Sequence, residues 1–276
     1  TSMINCYIEK LNNISHSGHG YALKGGSYSL VQNCICKGIN APFQFRHQGA
    51  NNCVVKNSFA YGNGQSAAGG IVFRDGASNN VIENCFIQNV ETLTYGWISF
   101  FDSSEGTGYN ETIQNNIVRN NIFYNSGTLS APFIHNGVDS NANLATTFNL
   151  TNNYIYNNTF YGNGYCKLFE NKSVGTISGN LFKNNIVKNV PTYEVGTGDD
   201  DGWTLDYNLF HGGFAAQGTN TITVDPVFAD LVDFEPTATF TSIDVPKITD
   251  VDYDYNGGER AAMTTVGAVK HADETV

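Results

Sequence analysis

The chain has 276 residues, with 25 acidic against 14 basic side chains and a formal charge of −11. That balance excludes a nucleic-acid surface, which needs clustered Lys and Arg to neutralise phosphates. No apolar run reaches the length of a membrane-spanning helix, and charged residues make up only 14% of the chain.

A short phrase recurs from one end of the chain towards the other: an apolar residue, two variable ones, an asparagine, and a large apolar residue two further on. Its first copy is shortened to Asn5 and Tyr7, and the next is Leu30, Asn33, Ile35. There follow Val54, Asn57, Phe59; Val81, Asn84, Phe86; Val118, Asn121, Phe123; Ile155, Asn158, Phe160; Phe182, Asn185, Val187; and Leu205, Asn208, Phe210. Successive asparagines are 28, 24, 27, 37, 37, 27 and 23 residues apart. A loose period in that range marks a stacked solenoid. The copies are rich in Val, Ile, Phe and Tyr and punctuated by Asn and Gly, so they predict short strands and tight corners, not helix pairs. Asn tolerates the left-handed backbone of a sharp corner, and stacked asparagines can hydrogen-bond to the next coil. The phrase therefore predicts an all-β chain, a right-handed parallel β-helix of about eight coils. Phe59, Phe86, Phe123 and Phe160 are expected in one buried stack, with Asn57, Asn84, Asn121 and Asn158 at one corner. The expected division is a β-helix over 1–224 and an irregular tail over 225–276 that packs on it, beginning at Asp225-Pro226.

Both ends carry expectations. Thr1 leads almost directly into a strand phrase, with nothing ahead of it to cover the first coil. An open coil exposes unpaired backbone, so the sequence suggests a longer parent chain or self-association through the uncapped N-terminal coil. Cys6, Cys34 and Cys85 share one place, just after the corner asparagine, while Cys36, Cys53 and Cys166 do not. Such thiols read as small apolar residues, with a Cys6–Cys34 disulfide between coils as the alternative. The sequons at Asn13, Asn110, Asn149, Asn157 and Asn171 are no more than this composition gives by chance.

A second strand of each coil can be aligned on an inward apolar residue: Leu23, Phe45, Phe73, Phe100, Ile134 and Phe169. The residue after each then points outward. This builds an exterior column of Lys24, Arg46, Arg74, Phe101, His135 and Glu170. Strand faces do carry Lys and Arg to prevent edge pairing, but like charges on adjacent strands repel. The alternative to a solvated face is a cationic groove for sugar carboxylates, in which a lysine flanked by arginines serves as a base.

The stretch from Tyr21 to Val90 resembles the active-site coils of polysaccharide lyase family six, the β-helical alginate lyases and chondroitinase B. The resemblance rests on Lys24, Arg46-His47-Gln48-Gly49, Asn52-Cys53-Val54-Val55-Lys56-Asn57-Ser58-Phe59, Gly62-Asn63-Gly64 and Gly69-Gly70-Ile71. It implies that Lys24 removes the proton α to a uronate carboxylate and that Arg46 sits beside the leaving oxygen. Arg74, His135 and Glu170 would bind substrate; His47 would either donate a second proton or hold a neighbouring loop. The sequence departs from the family by the extra Gln48 and by Ser17, Gly18 and His19, where calcium-using members carry acids. Calcium thus has no ligand set there. Asp252, Asp254 and Asn256, or Asp199-Asp200-Asp201, are the remaining places for calcium, though the first lacks a downstream bidentate Glu and the second is a solvated run.

The segments Asp206 to Phe210, Asp225 to Asp230, Asp252 to Arg260 and Val266 to Val269 look like the closing segments of secreted bacterial β-helix proteins, which implies a secreted or cell-surface location. The leading reading is a secreted protein that binds and cleaves a uronic-acid-containing polysaccharide by β-elimination. Two others stand beside it: a structural or adhesive solenoid of a cell surface, filament or phage spike, and a glycoside hydrolase using Asp75 and Asp102 as its paired carboxylates.

Overall fold

A computed structural model describes residues 2–9, 19–39, 41–46, 50–62, 70–88, 96–102, 112–126, 131–138, 149–163, 167–172, 175–196, 202–228, 230, 244–249 and 251–269. Its strands are short, mostly three residues, and on the first face a left-handed residue ends each one and turns the chain towards the next face. Asn5, Asn33, Asn57, Asn84, Asn120, Asn157, Asn184 and Tyr207 all have φ between 50° and 55° at one corner. Tyr28, Asn52, Asn79, Asn115 and Asn152 have φ between 55° and 57° at a second.

The strands stack in parallel into three long faces. The first runs through eight strands, from Ser2–Ile4 to Trp203–Asp206, and the second through eight, from Tyr7–Glu9 to Leu209–His211. A third has seven, from His19–Lys24 to Thr192–Gly196, and Thr112–Gln114, Asn149–Thr151 and Ile177–Ser178 add a small fourth sheet. Each coil pairs in register with the coils before and after it, which is the parallel β-helix that the repeats predict.

The register corrects one expectation. Val81 pairs with Ile117, not Val118, and Phe86 pairs with Ile122, not Phe123. The phrase is thus read one residue late from the fifth coil onward. The left-handed corner is Asn57, Asn84, Asn120, Asn157, and the residue after it turns inside: Cys34, Ser58, Cys85, Asn121, Asn158, Asn185, Asn208. In later coils both positions are asparagine, and the repeat phrase had fastened on the second. Phe59 and Phe86 accordingly point outward, with Phe59 36% exposed, while Phe123 and Phe160 are fully buried with rings stacked at 4.8 Å.

The inner asparagines form a continuous ladder. The Asn158 carboxamide oxygen accepts from the Asn121 backbone N–H at 2.9 Å, and its Nδ2 donates to Val118 O at 2.9 Å and to Asn185 Oδ1 at 3.1 Å. Asn121, Asn185 and Asn208 repeat the pattern. A second ladder of Cys53, Asn80, Asn116, Asn153 and Asn180 lines the other inner corner. Cys6, Cys34, Cys36, Cys53 and Cys85 are free thiols, so the disulfide alternative does not form. Burial pushes Cys36 and Cys85 up to about 12, so both stay protonated and act as small core residues.

The tail residues 244–249 and 251–269 pack against the second face. Ala268 and Val269 cluster with Phe86 and Ile122, and Val245 and Val266 with Ile186 and Leu209. Gly267, at φ 95°, comes so close that a Cβ would stand 2.5 Å from Ile186 Cδ1. Arg260 is buried beneath this loop and donates to the Gly267 and Ala268 carbonyls at 2.8 Å each. The outward apolar residues of that face, from Phe86 to Leu209, are what the tail covers. On the third face the outward residues Gln44, Arg46, Val72, Arg74, Ser99 and His135 are buried as well.

Candidate functional site

The third face carries the exterior column, and its backing is rigid. Phe45, Phe73 and Phe100 are fully buried and stack ring on ring at 5.0 and 5.2 Å. Because side chains alternate along a strand, these inward rings fix the outward neighbours one residue on. Lys24 pairs with Arg46, Arg46 with Arg74, and Arg74 with Phe101, so the first four members of the column share one register.

His135 and Glu170 belong two residues back. His135 pairs with Ser99 and with Glu170, so these two stand on the same outward side in a parallel column. That is a correction: the inward partners Ile134 and Phe169 align with Ile98, not Phe100. A two-residue slip preserves which side faces out, so the alternation held while the column shifted. His47 lies outside the described residues.

Arg46 and Arg74 are each 7% exposed and share one carboxylate. Asp75 Oδ2 is 2.9 Å from Arg74 Nε and 3.4 Å from Arg46 Nε. Asp75 is itself buried, at φ 54°, in the turn closed by the Ala77 N–H to Arg74 O bond of 3.3 Å. The turn swings its carboxylate back over both guanidiniums. Sequence reasoning had considered Asp75 only as half of a hydrolase pair with Asp102. The pairing of their strands ends at Arg74 with Phe101, and the Asp75 carboxylate meets the arginines. Its position directly after Arg74 was the available signal. In the parallel column, His135 Nδ1 is 3.5 Å from Glu170 Oε2, and Ser99 Oγ donates to Gly96 O at 3.0 Å. Ser99 and the buried Gln44 were also missed, because neither interrupts a strand pattern.

Lys24, Arg46 and Arg74 thus follow one another on adjacent rungs, and Asp75 is a carboxylate that meets both arginines. Elsewhere among the described residues, charges that meet on neighbouring rungs are opposite. Glu9 faces Lys37 at 2.9 Å, Glu83 faces Arg119 at 2.7 Å, and Lys183 faces Asp206 at 2.9 Å. Among the described residues no cluster of His, Cys, Asp and Glu could hold a metal ion. The Asp252 carboxylate instead meets Lys247 Nζ at 3.0 Å, and Asp254 accepts from the Gly258 N–H, so that loop offers little to calcium. Asp199, Asp200 and Asp201 lie outside the described residues.

Residues 2–164 match the family model described as right-handed beta helix region. The chain belongs to that family. Its handedness follows from the match, and the parallel stacks above are its architecture. Among solved structures, one described as "The complex structure of XylC with xylose" is similar at 12% identity and a TM-score of 0.37, over 89% of this chain. This chain spans 60% of that neighbour's length. No curated protein matches the sequence. No helix among the described residues is long and apolar enough to cross a membrane.

Proposed function

We propose that this β-helix binds a uronic-acid-containing polysaccharide along the outer side of its third face and cleaves it by β-elimination. The single observation that supports the reading is the like-charged row of Lys24, Arg46 and Arg74 on three successive rungs, about 4.8 Å apart. Like charges stacked on adjacent strands repel, so the row has a cost to the fold, whereas a polymer with a carboxylate on each sugar has a use for it.

In this reading Arg74 and Arg46, held in orientation by Asp75, take the substrate carboxylate through their planar forks. That pairing withdraws charge from the carbon beside the carboxylate. Lys24, as the family resemblance implies, removes the proton from that carbon. The electron pair forms the new C=C bond, the glycosidic C–O bond breaks, and the leaving oxygen takes up a proton. His135 and Glu170 would contact neighbouring sugar units. A polymer of this size does not enter a cell intact, which supports a secreted or cell-surface location.

The burial of Arg46 and Arg74 against Asp75 favours a second reading, a structural solenoid in which the cluster ties coils together. Ultraviolet absorbance of unsaturated uronates separates the two. Incubation with alginate, polygalacturonate, chondroitin sulfate and dermatan sulfate is expected to release absorbing products from at least one. Lys24→Ala should abolish that release and leave binding of the same polymer largely intact, since the base acts in the transition state. Arg46→Lys should lower turnover severely, because a point charge does not replace a planar fork. If no polymer yields an absorbing product, the structural reading stands.

A further inference from the structure

A second recess lies on a different part of the coil, where the second face ends. Tyr124 and Tyr161 pair across neighbouring strands there, with rings 5.6 Å apart at 74°, edge to face. Tyr161 is braced from behind by Phe228 at 6.2 Å. With Asn125, Ser126, Asn163 and Asn189 the two rings line a cavity of about 390 Å³, within the range of small-ligand sites. Among the described residues no Lys, Arg, Asp, Glu or His lines it.

Part of this composition is explained by the corner itself. Asn189, at φ 58°, and Gly212, at φ 70°, adopt the left-handed backbone that turns the chain. Asn125 and Asn163 do not, so the backbone makes no demand for an amide side chain at either place. The backbone N–H groups of Asn125, Gly162 and Asn189 donate to the Tyr161, Lys188 and His211 carbonyls at 2.8 to 2.9 Å, which closes the backbone ladder at this corner. What remains is an arrangement of two half-buried phenol rings beside carboxamides and a hydroxyl.

We propose that this recess is a binding site for a neutral saccharide unit, separate from the cationic row and independent of whether that row is catalytic. A pyranose ring has an apolar C–H face that packs on an aromatic ring, and a rim of hydroxyls that both donate and accept. Tyr161 and Tyr124 supply the first surface, and the carboxamides of Asn163 and Asn189 match the second, since each donates and accepts. A uronate would leave its carboxylate in this recess without a cation, at a desolvation cost that a neutral sugar avoids. The site would anchor an uncharged stretch or branch of a glycan to the body of the solenoid.

Isothermal titration with hexamers of β-1,4-linked glucose, xylose and mannose, and with a guluronate hexamer as the charged control, tests this. At least one neutral hexamer should bind with a Kd of about 0.1 to 1 mM. Asn163→Ala and Tyr161→Phe each remove one polar group from the lining, and each should weaken that binding about three- to tenfold in protein that stays folded at the titration temperature. Guluronate binding should not respond to either. The proposal is overturned if none of the neutral hexamers binds at about 10 mM, a level corresponding to the weakest useful site. It is equally overturned if both folded variants bind as the parent does, or if only guluronate binding falls.

Discussion

The inner corner ladders and the outer row of the third face are built alike, one polar residue stacked on the next at a fixed register, yet they differ in what the stack does for the fold. Asparagine carries a donor and an acceptor in one side chain. Asn158 therefore accepts from the rung before it while donating to the rung after it, and every copy satisfies the next. Arginine and lysine only donate. Stacked on themselves they repel, and the fold sets a carboxylate, Asp75, between Arg46 and Arg74. A repeated residue is explained by a solenoid when its chemistry is self-complementary. When it is not, the explanation lies outside the fold.

The apolar stack sets the scale for both. Phe123→Ala empties a fully buried site stacked on Phe160 and should cost about 3 to 5 kcal/mol. Phe59→Ala, at the equivalent place in the sequence phrase but outward and 36% exposed, should cost under about 1 kcal/mol. Urea midpoints measure both. Equal losses would mean that the register correction is wrong.

Asp75→Asn probes the row. It removes the charge that two buried guanidiniums share and should lower stability by about 3 kcal/mol. A loss much smaller than that, read from thermal denaturation, would show the arginines to be compensated from elsewhere and the row to be less strained than its register implies. In the ladder, Asn158→Ala strands the buried Asn121 N–H and the Val118 carbonyl and should cost about 2 kcal/mol. Asn158→Asp should be worse, because a carboxylate cannot donate to Val118 O or Asn185 Oδ1.

The architecture was legible because period, residue type and corner chemistry agree. The register was not, for a local reason. Asn57 is followed by Ser58 and Asn84 by Cys85, but Asn120 is followed by Asn121 and Asn157 by Asn158. Two adjacent positions with different jobs, one left-handed outside and one bonded inside, hold the same residue, and a pattern of types cannot separate them. The shared place of Cys6, Cys34 and Cys85 was a clue: it is the inner position, filled by thiols before asparagine takes over. At the site, the side of the strand was legible from alternation alone, so Lys24, Arg46 and Arg74 fell on one face. Asp75 was not, since its role depends on a turn that folds a carboxylate back over the strand it has just left.

The smallest effect is expected where the charges already alternate. Burial pushes the Asp206 carboxyl up, but hydrogen bonds from Asn220, Lys183 and Thr219 outweigh it and hold it below the usual carboxylate range. A carboxyl depressed in the folded state stabilises the protein above its unfolded pKa of about 3.9, and that contribution is lost as pH falls through the lower folded value. Asp206→Asn should therefore cost up to about 1 kcal/mol at neutral pH, with the deficit closing below about pH 4. Lys24→Met in the like-charged row should show no such deficit at any pH, because removing one of three stacked cations relieves repulsion. Thermal midpoints of the two variants across pH 2 to 7 make the comparison. A deficit in Lys24→Met that matched Asp206→Asn would mean that Lys24, like the two arginines, is held by an opposite charge, and that the row is there for the fold.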